Sequence, residues 1–162
     1  FRAQQTIKYH HMKLKFFLIT IILFLNSCGY TPMYSSANKT NFYLEKINLK
    51  GDEFIINDIT NNLNNLSQTN SKKIIIIEGK ILYQKTSQTK NLAGDTTQYR
   101  LKTTSELTIK TSNQELKLNM NENFDMKNFD DEFEERNYEK TIKENFARSI
   151  NSQIILRISK IE

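Results

Sequence analysis

The sequence predicts an α/β (α+β) two-layer sandwich, in which two amphipathic helices cover one face of a four-stranded mixed sheet. Two segments repeat apolar residues at helical spacing, and three others alternate apolar and polar residues as strands do. A further segment contains four consecutive isoleucines, Ile74–Ile77, which is typical of a central strand. The order along the chain is strand, helix, three strands, helix, so the helices can share one face of the sheet.

The first strand and the first helix follow directly from these patterns. Phe42–Gly51 alternates as a strand, with an irregularity near Lys46 that indicates a β-bulge. A helix is predicted from Glu53 to about Gln68, with Asp52 as its N-cap. Its apolar stripe consists of Ile55, Ile59, Leu63 and Leu66.

Three strands follow the first helix. The isoleucine run opens the strand Lys73–Lys85, which the helical crossover makes parallel to the first strand, and Asn91–Asp95 forms a turn. Thr97–Thr111 and Glu115–Met126 form a hairpin around Ser112-Asn113, with one side in the core and the other in water. The core side of the first hairpin strand comprises Tyr99, Leu101, Thr103, Ser105, Leu107 and Ile109.

A long helix from about Asp130 to Ser159 ends the chain. Apolar residues recur every four positions along it and form one row: Tyr138, Ile142, Phe146, Ile150, Ile154 and Ile158. Phe133, Ala147 and Ile155 lie beside this row. Acidic residues crowd its first turns, where they complement the helix dipole. Binding of a metal ion or partner is the alternative interpretation of these acids, which are Asp130, Asp131, Glu132, Glu134 and Glu135.

The N-terminal region has the layout of an export signal. Lysines at 13 and 15 precede the apolar run Phe16–Leu25, which is too short to cross a bilayer as a helix. Leu25-Asn26-Ser27-Cys28 resembles a bacterial lipobox, so we expect acylation of Cys28 and removal of residues 1–27, of which Phe1–His11 precede a plausible start at Met12. Gly29 after the cysteine favours the outer membrane, and an uncleaved N-terminal anchor is the alternative.

This layout predicts three regions: an extension plus signal peptide at 1–27, an acylated tether at 28–41, and one sandwich domain at 42–162. Four of the 23 basic residues and no acidic residue precede Cys28, so the remainder carries 19 basic and 18 acidic residues. A net charge of +1 argues against nucleic-acid binding, which needs a basic surplus.

Catalysis is not expected of the domain. Both histidines precede Cys28, whose own thiol would be acylated, so imidazole and thiol chemistry and His/Cys metal sites are excluded from the domain. Glycine-rich nucleotide loops are also absent, and we expect no metal or cofactor. A hydrolase that works through a pair of carboxylates, with Asp95 and Glu106 as candidates, is an alternative.

The segment Cys-Gly-Tyr-Thr-Pro-Met-Tyr, residues 28–34, resembles the opening of the lipopolysaccharide-assembly lipoprotein (LptE) family. The order of elements is similar to that family too, as are the strand segment Gly94–Leu101 and the helix from Asn137-Tyr138 to Arg157. The resemblance implies a non-catalytic protein of the outer membrane, lipid-anchored on its periplasmic side. Such a protein binds and helps assemble the LptD barrel and supports lipopolysaccharide transport to the outer leaflet.

We expect the uncovered face of the sheet to carry this function, because its polar side chains could match a polar barrel interior. Its cations are candidates for binding lipopolysaccharide phosphates or a partner protein. They are Arg100, Lys102, Lys110 and Lys117, which could equally be ordinary solvated strand residues. An auxiliary periplasmic lipoprotein of an ABC-type lipid transporter is the alternative function.

Overall fold

The computed structural model describes residues 41–161, and these form the predicted two-layer sandwich. The elements are β1 (Tyr43–Gly51), α1 (Glu53–Leu66), β2 (Ile74–Lys90), β3 (Thr96–Lys110), β4 (Glu115–Lys127) and α2 (Glu132–Ser159). The strands lie in the order β1-β2-β3-β4; β1 and β2 are parallel, and the other pairs are antiparallel. The predicted fold class is therefore confirmed. The predicted signal peptide, Cys28 and all but the last residue of the tether lie outside the described residues.

Two local features of the first crossover match the sequence analysis. The register of β1 against β2 shifts between Leu44 and Lys46, which is the predicted bulge. Asp52 caps α1: its Oδ1 accepts a hydrogen bond from the amide of Ile55 at 3.1 Å. Gly51 is required directly before the cap, because a Cβ there would lie 1.8 Å from the carbonyl oxygen of Ile81.

The predicted boundaries of three elements need correction. β2 extends five residues beyond Lys85, because Thr86–Lys90 continues to pair with the start of β3. α1 ends at Leu66, where the amide of Ser67 bonds back to the carbonyl of Leu63. α2 begins at Glu132, because Asp131 is its N-cap and accepts from the amides of Phe133 and Glu134.

The core lies between the helices and the facing side of the sheet. In β2 and β3 the alternate residues Ile75, Ile77, Ile81, Leu101, Leu107 and Ile109 are fully buried. α1 contributes Ile55, Ile59 and Leu63, and α2 contributes a buried row from Ile142 to Ile158. Thr103 and Ser105 are buried in the same layer, as their place in the alternation of β3 predicted.

The predicted apolar row of α2 is wrong at its N-terminal end. Phe133 is 64% exposed and Tyr138 is 40% exposed. A four-residue repeat advances about 40° per step around a helix of 3.6 residues per turn, so one straight row cannot stay in contact with a sheet throughout. Tyr138 packs instead against Phe129 and Phe124, with ring centroids 5.3 and 6.2 Å apart.

The far end of α2 is held by Lys73, which precedes β2. Its Nζ donates to the carbonyl oxygens of Ile158, at 3.4 Å, and of Ile161. A cation at this position also suits the negative end of the helix dipole. Within residues 41–161, neither helix is long and apolar enough to cross a bilayer.

Candidate functional site

The candidate site is the face of the sheet opposite the helices, which we call the open face. Residues of β2, β3 and β4 that alternate with the buried ones point to it, and most of them are polar and exposed or half-buried. No helix of the described range 41–161 covers this face. It comprises Glu78, Lys80, Leu82 and Gln84 of β2, Arg100 through Lys110 at even positions of β3, and Lys117 through Asp125 at odd positions of β4.

All four predicted cations lie on the open face, but they form two groups. Arg100 and Lys102 lie near the start of β3, and Lys110 lies at its end. Lys117 is paired with Thr108, beside Lys110. Eight residues of extended strand separate Lys102 from Lys110, which is about 27 Å. One phosphate therefore cannot contact both groups.

Two of the four cations already have carboxylate partners. The guanidinium of Arg100 forms two parallel hydrogen bonds to Asp125, at 2.7 and 2.8 Å. Lys110 Nζ lies 2.5 Å from Glu78 Oε2. These hydrogen bonds lower the pKa values of Asp125 and Glu78 below their ordinary range, so both acids are ionised at neutral pH.

Lys102 and Lys117 are the open-face cations best placed to meet an anionic ligand. Both are exposed, and neither forms an ion pair with any residue that the structure describes. Between them lie amides and hydroxyls, such as Thr104, whose Oγ1 donates to Asn121 at 2.8 Å, and one exposed ion pair of Lys80 with Glu106 at 3.2 Å. The open face is therefore a hydrogen-bonding surface with local positive charge at two ends.

The predicted alternatives based on acidic residues find no support in the geometry. Asp95 lies in the turn before β3, and Glu106 lies more than ten residues along that strand, about 35 Å away. A glycosidase-type carboxylate pair requires a separation below about 10 Å. Across residues 41–161, no three Asp, Glu, His or Cys side chains are grouped closely enough to hold a metal ion.

The helix side of the sheet contains a polar cluster that the sequence analysis missed, which we call the inner network. Lys85 Nζ donates to Glu135 at 2.7 Å and to Glu139 at 2.8 Å. The hydroxyl of Tyr83 donates to the other oxygen of Glu139 at 2.8 Å. Lys143 lies 4.0 Å above the centre of the Tyr83 ring and donates to the N-cap Asp52 at 2.8 Å.

The inner network joins β2, α2 and the N-cap of α1. Burial alone would raise the pKa of Glu139, but hydrogen bonds from Lys85 and Tyr83 outweigh burial, and the net shift is downward. Burial and the bond to Glu139 raise the pKa of Tyr83 well above its usual value near 10. Tyr83 is therefore a neutral donor at physiological pH, and the network serves to hold three elements together.

A shallow cleft lies beside the inner network. It has a volume of about 290 Å³ and is lined by Phe54, Arg136, Glu139, Lys140 and Lys143. Lys143 and Glu139 are committed to partners within the network, and Arg136 is paired with Glu132 at 3.2 Å. The free polar groups of the open face make that face the stronger candidate for binding.

Simple counting from the turn could have found one missed contact. A two-residue turn at Ser112-Asn113 pairs Thr111 with Gln114, and stepping outward from it places Arg100 opposite Asp125. Glu78 could not be found this way, because its contact with Lys110 depends on the register between β2 and β3. The inner network gave no sequence signal, because its members come from β2, α2 and the cap of α1.

Comparisons with known proteins return structures but no sequence relatives. No family model and no curated protein matches the chain. Among solved structures, rare lipoprotein B from Shewanella oneidensis is similar, with 12% identity, a TM-score of 0.48, and coverage of 70% of this chain and 92% of that one. Lipoprotein B from Nitrosomonas europaea is similar at 15% identity and a TM-score of 0.47, with coverage of 75% of this chain and 88% of that one. A lipoprotein from Caulobacter crescentus is similar at 9% identity and a TM-score of 0.45, with coverage of 80% of this chain and 93% of that one.

Proposed function

We propose that this protein is a non-catalytic lipoprotein of the outer membrane, anchored through Cys28, that binds an LptD-type barrel through the open face. In this role it helps the barrel assemble and supports lipopolysaccharide transport to the outer leaflet. The observation that carries the proposal is the open face itself: a broad, polar sheet surface whose strongest charges are already paired. The resemblance of residues 28–34 to the family opening supports the choice of partner.

The size of the open face suits a stable interface. Three long strands and the shorter β1, at strand spacing, present roughly 600–800 Å². Standard protein interfaces bury about 800 Å² on each partner. Because Arg100 and Lys110 have carboxylate partners, the surface can be covered by a polar wall without burying those charges alone.

The chemistry of the open face also suits the inner wall of a barrel. The interior of a transmembrane barrel is polar, and side chains such as Asn119, Asn121 and Thr104 can exchange hydrogen bonds with it. Lys102 and Lys117 add positive charge, to which phosphate groups of lipopolysaccharide would be attracted as to point charges.

The test is charge reversal on the open face in the acylated, membrane-derived protein. Lys102→Glu combined with Lys117→Glu should reduce recovery of the barrel in mild detergent by about tenfold, because it reverses the two unpaired positive charges of the open face and so changes its electrostatic complementarity to a partner. Lys72→Glu combined with Lys140→Glu is the matched control, since it changes the net charge equally in a loop and on α2. The control should recover as much barrel as the unchanged protein.

Further measurements separate the possible ligands. Binding of purified lipopolysaccharide to the isolated protein, lost in the open-face variant alone, would show direct contact with the lipid. Recovery with inner-membrane transporter components instead of a barrel would favour the ABC-transporter role. If both double variants recovered the same amount of barrel, binding through the open face would be refuted.

A further inference from the structure

The two edges of the sheet differ in whether their outward backbone groups have partners. At the β1 edge, the amide of Gln68 donates to the carbonyl of Phe42 and the amide of Leu44 donates to Ser67 Oγ, each at 2.8 Å. A bulge follows directly, and bulges hinder further pairing. β4 forms the other edge; it is thirteen residues long, with neither proline nor glycine. A long regular edge strand is a template for another strand.

The hairpin identifies which residues of β4 point outward. The amide of Thr111 bonds to the carbonyl of Gln114, and the amide of Asn128 bonds to that of Thr97. Hydrogen-bonded pairs alternate in an antiparallel ladder, so the even-numbered residues of β4 bond to β3. The odd-numbered residues from Glu115 to Lys127 therefore direct their N–H and C=O groups away from the sheet. In the described part of the chain, no strand pairs with them.

The outward residues of β4 are complementary to themselves. If two β4 strands pair antiparallel with Asn121 at the centre, every outward residue meets another outward residue. The opposed pairs are then Glu115 with Lys127, Lys117 with Asp125, Asn119 with Asn123, and Asn121 with its own copy. Opposite charges meet at both ends, and amides meet amides in the middle, where stacked asparagines can add hydrogen bonds.

Neighbouring registers lack this complementarity. If the two strands paired about Met120 instead, Glu115 would lie opposite Asp125 of the other copy. If they paired about Glu122, Lys117 would lie opposite Lys127. Like charges directly opposite each other destabilise a strand pair. In the Asn121 register, the helix side opposes Leu118 to Phe124, which is 36% exposed in the single chain and would gain an apolar neighbour.

We propose that the β4 edge is a homodimerisation surface. Two copies pair antiparallel about Asn121, with about fourteen backbone hydrogen bonds, to form a continuous eight-stranded sheet. The contact is isologous, so it closes as a two-fold dimer instead of growing into a fibre. This inference does not depend on the partner assigned to the open face, and a protein that stays monomeric would leave that assignment intact.

Site-specific cross-linking tests the register in the full chain purified from membranes. Asn121→Cys should form a disulfide dimer on mild oxidation, because the two Cα atoms in a hydrogen-bonded pair lie about 5.5 Å apart. Asn119→Cys and Asn123→Cys should cross-link at least tenfold more slowly alone, since each lies about 13 Å from its own copy. A mixture of these two variants should cross-link to each other. The unchanged chain, whose sole cysteine is Cys28, controls for disulfides through that residue.

Charge exchange tests the same pairing without cysteine. Lys127→Glu opposes Glu115 to a glutamate twice in each dimer and should raise the dimer dissociation constant, measured by sedimentation, about tenfold. Adding Glu115→Lys restores opposite charges and should recover the original constant. Asn121→Pro should abolish the dimer while leaving the melting temperature of the monomer within a few degrees, because within the monomer it removes only an outward amide and the exposed hydrogen bond from Thr104.

Three outcomes would overturn the proposal. They are equal cross-linking at positions 119 and 121, a dissociation constant that the charge exchange does not restore, and a strand of another protein captured at position 121 in place of a second copy. Cross-linking confined to position 121 and to the 119–123 mixture would support the dimer and fix its register.

Discussion

Neighbouring residues of β2 show how differently the two faces of the sheet are used. Ile81 is fully buried under the helices, whereas Leu82, the next residue, is 46% exposed on the open face. Lys85 on the helix side is held by two carboxylates, whereas Lys80 on the open face has one partner, Glu106, at 3.2 Å, and about half of each side chain is exposed. The helix side holds the fold together, and the open face is available for binding.

The largest expected difference between the faces concerns apolar side chains. Ile81→Ala should lower the free energy of unfolding by about 2–5 kcal/mol, because it removes buried methyl groups and leaves a cavity. Leu82→Ala should cost less than about 1 kcal/mol, since its side chain is half in water. Denaturant unfolding of the two variants measures both values. Equal losses would mean that the open face is also part of the core.

A smaller difference is expected for the two lysines. Lys85→Met removes the cation that is hydrogen-bonded to both Glu135 and Glu139 and should destabilise the fold by about 1–3 kcal/mol. Lys80→Met removes an exposed ion pair, whose value is typically below about 1 kcal/mol. Thermal unfolding at neutral pH compares the two variants. If Lys80→Met proved the more damaging, the inner network would not be what joins the helices to the sheet.

The contrast between the faces also explains how far the sequence could predict this molecule. Period-two alternation in β3 places its residues on the correct faces, because every second residue of a strand points the same way. The Asp52 cap and the bulge near Lys46 were likewise readable, since both are local. Long-range polar contacts were not, because Tyr83, Glu139 and Asp52 come together only after the crossover and both helices have packed.

The candidate site was predicted in its location but not in its electrostatics. Sequence reasoning placed Arg100, Lys102, Lys110 and Lys117 on one face, which the structure confirms. It treated them as four equivalent cations, whereas Asp125 and Glu78 neutralise two of them. Their binding of lipopolysaccharide or of a partner stays a prediction, as does acylation of Cys28.

The smallest expected effect is the dependence of stability on acid pH, which separates a partly buried carboxylate from an exposed one. The pKa of Glu139 is lower in the folded state than its ordinary value of 4.5, so its ionised form stabilises the fold above that pH. This contribution is lost as the pH falls through the folded pKa, because the proton then binds both states. Asp125 has a lowered pKa for the same kind of reason, through Arg100, but it lies on the open face and is screened by solvent.

We therefore expect Glu139→Gln to flatten the fall in unfolding free energy between pH 6 and pH 3 more than Asp125→Asn does. Urea unfolding at intervals of half a pH unit measures both slopes against that of the unchanged protein. A flatter acid slope in Asp125→Asn than in Glu139→Gln would place the dominant titrating carboxylate on the open face.

At high pH the effect of pH on stability is opposite, and Tyr83 is the group responsible. Its pKa is raised in the folded state, so the unfolded state ionises first as the pH rises. The free energy of unfolding, measured in urea, should therefore fall above about pH 10 in the unchanged protein and fall less in Tyr83→Phe.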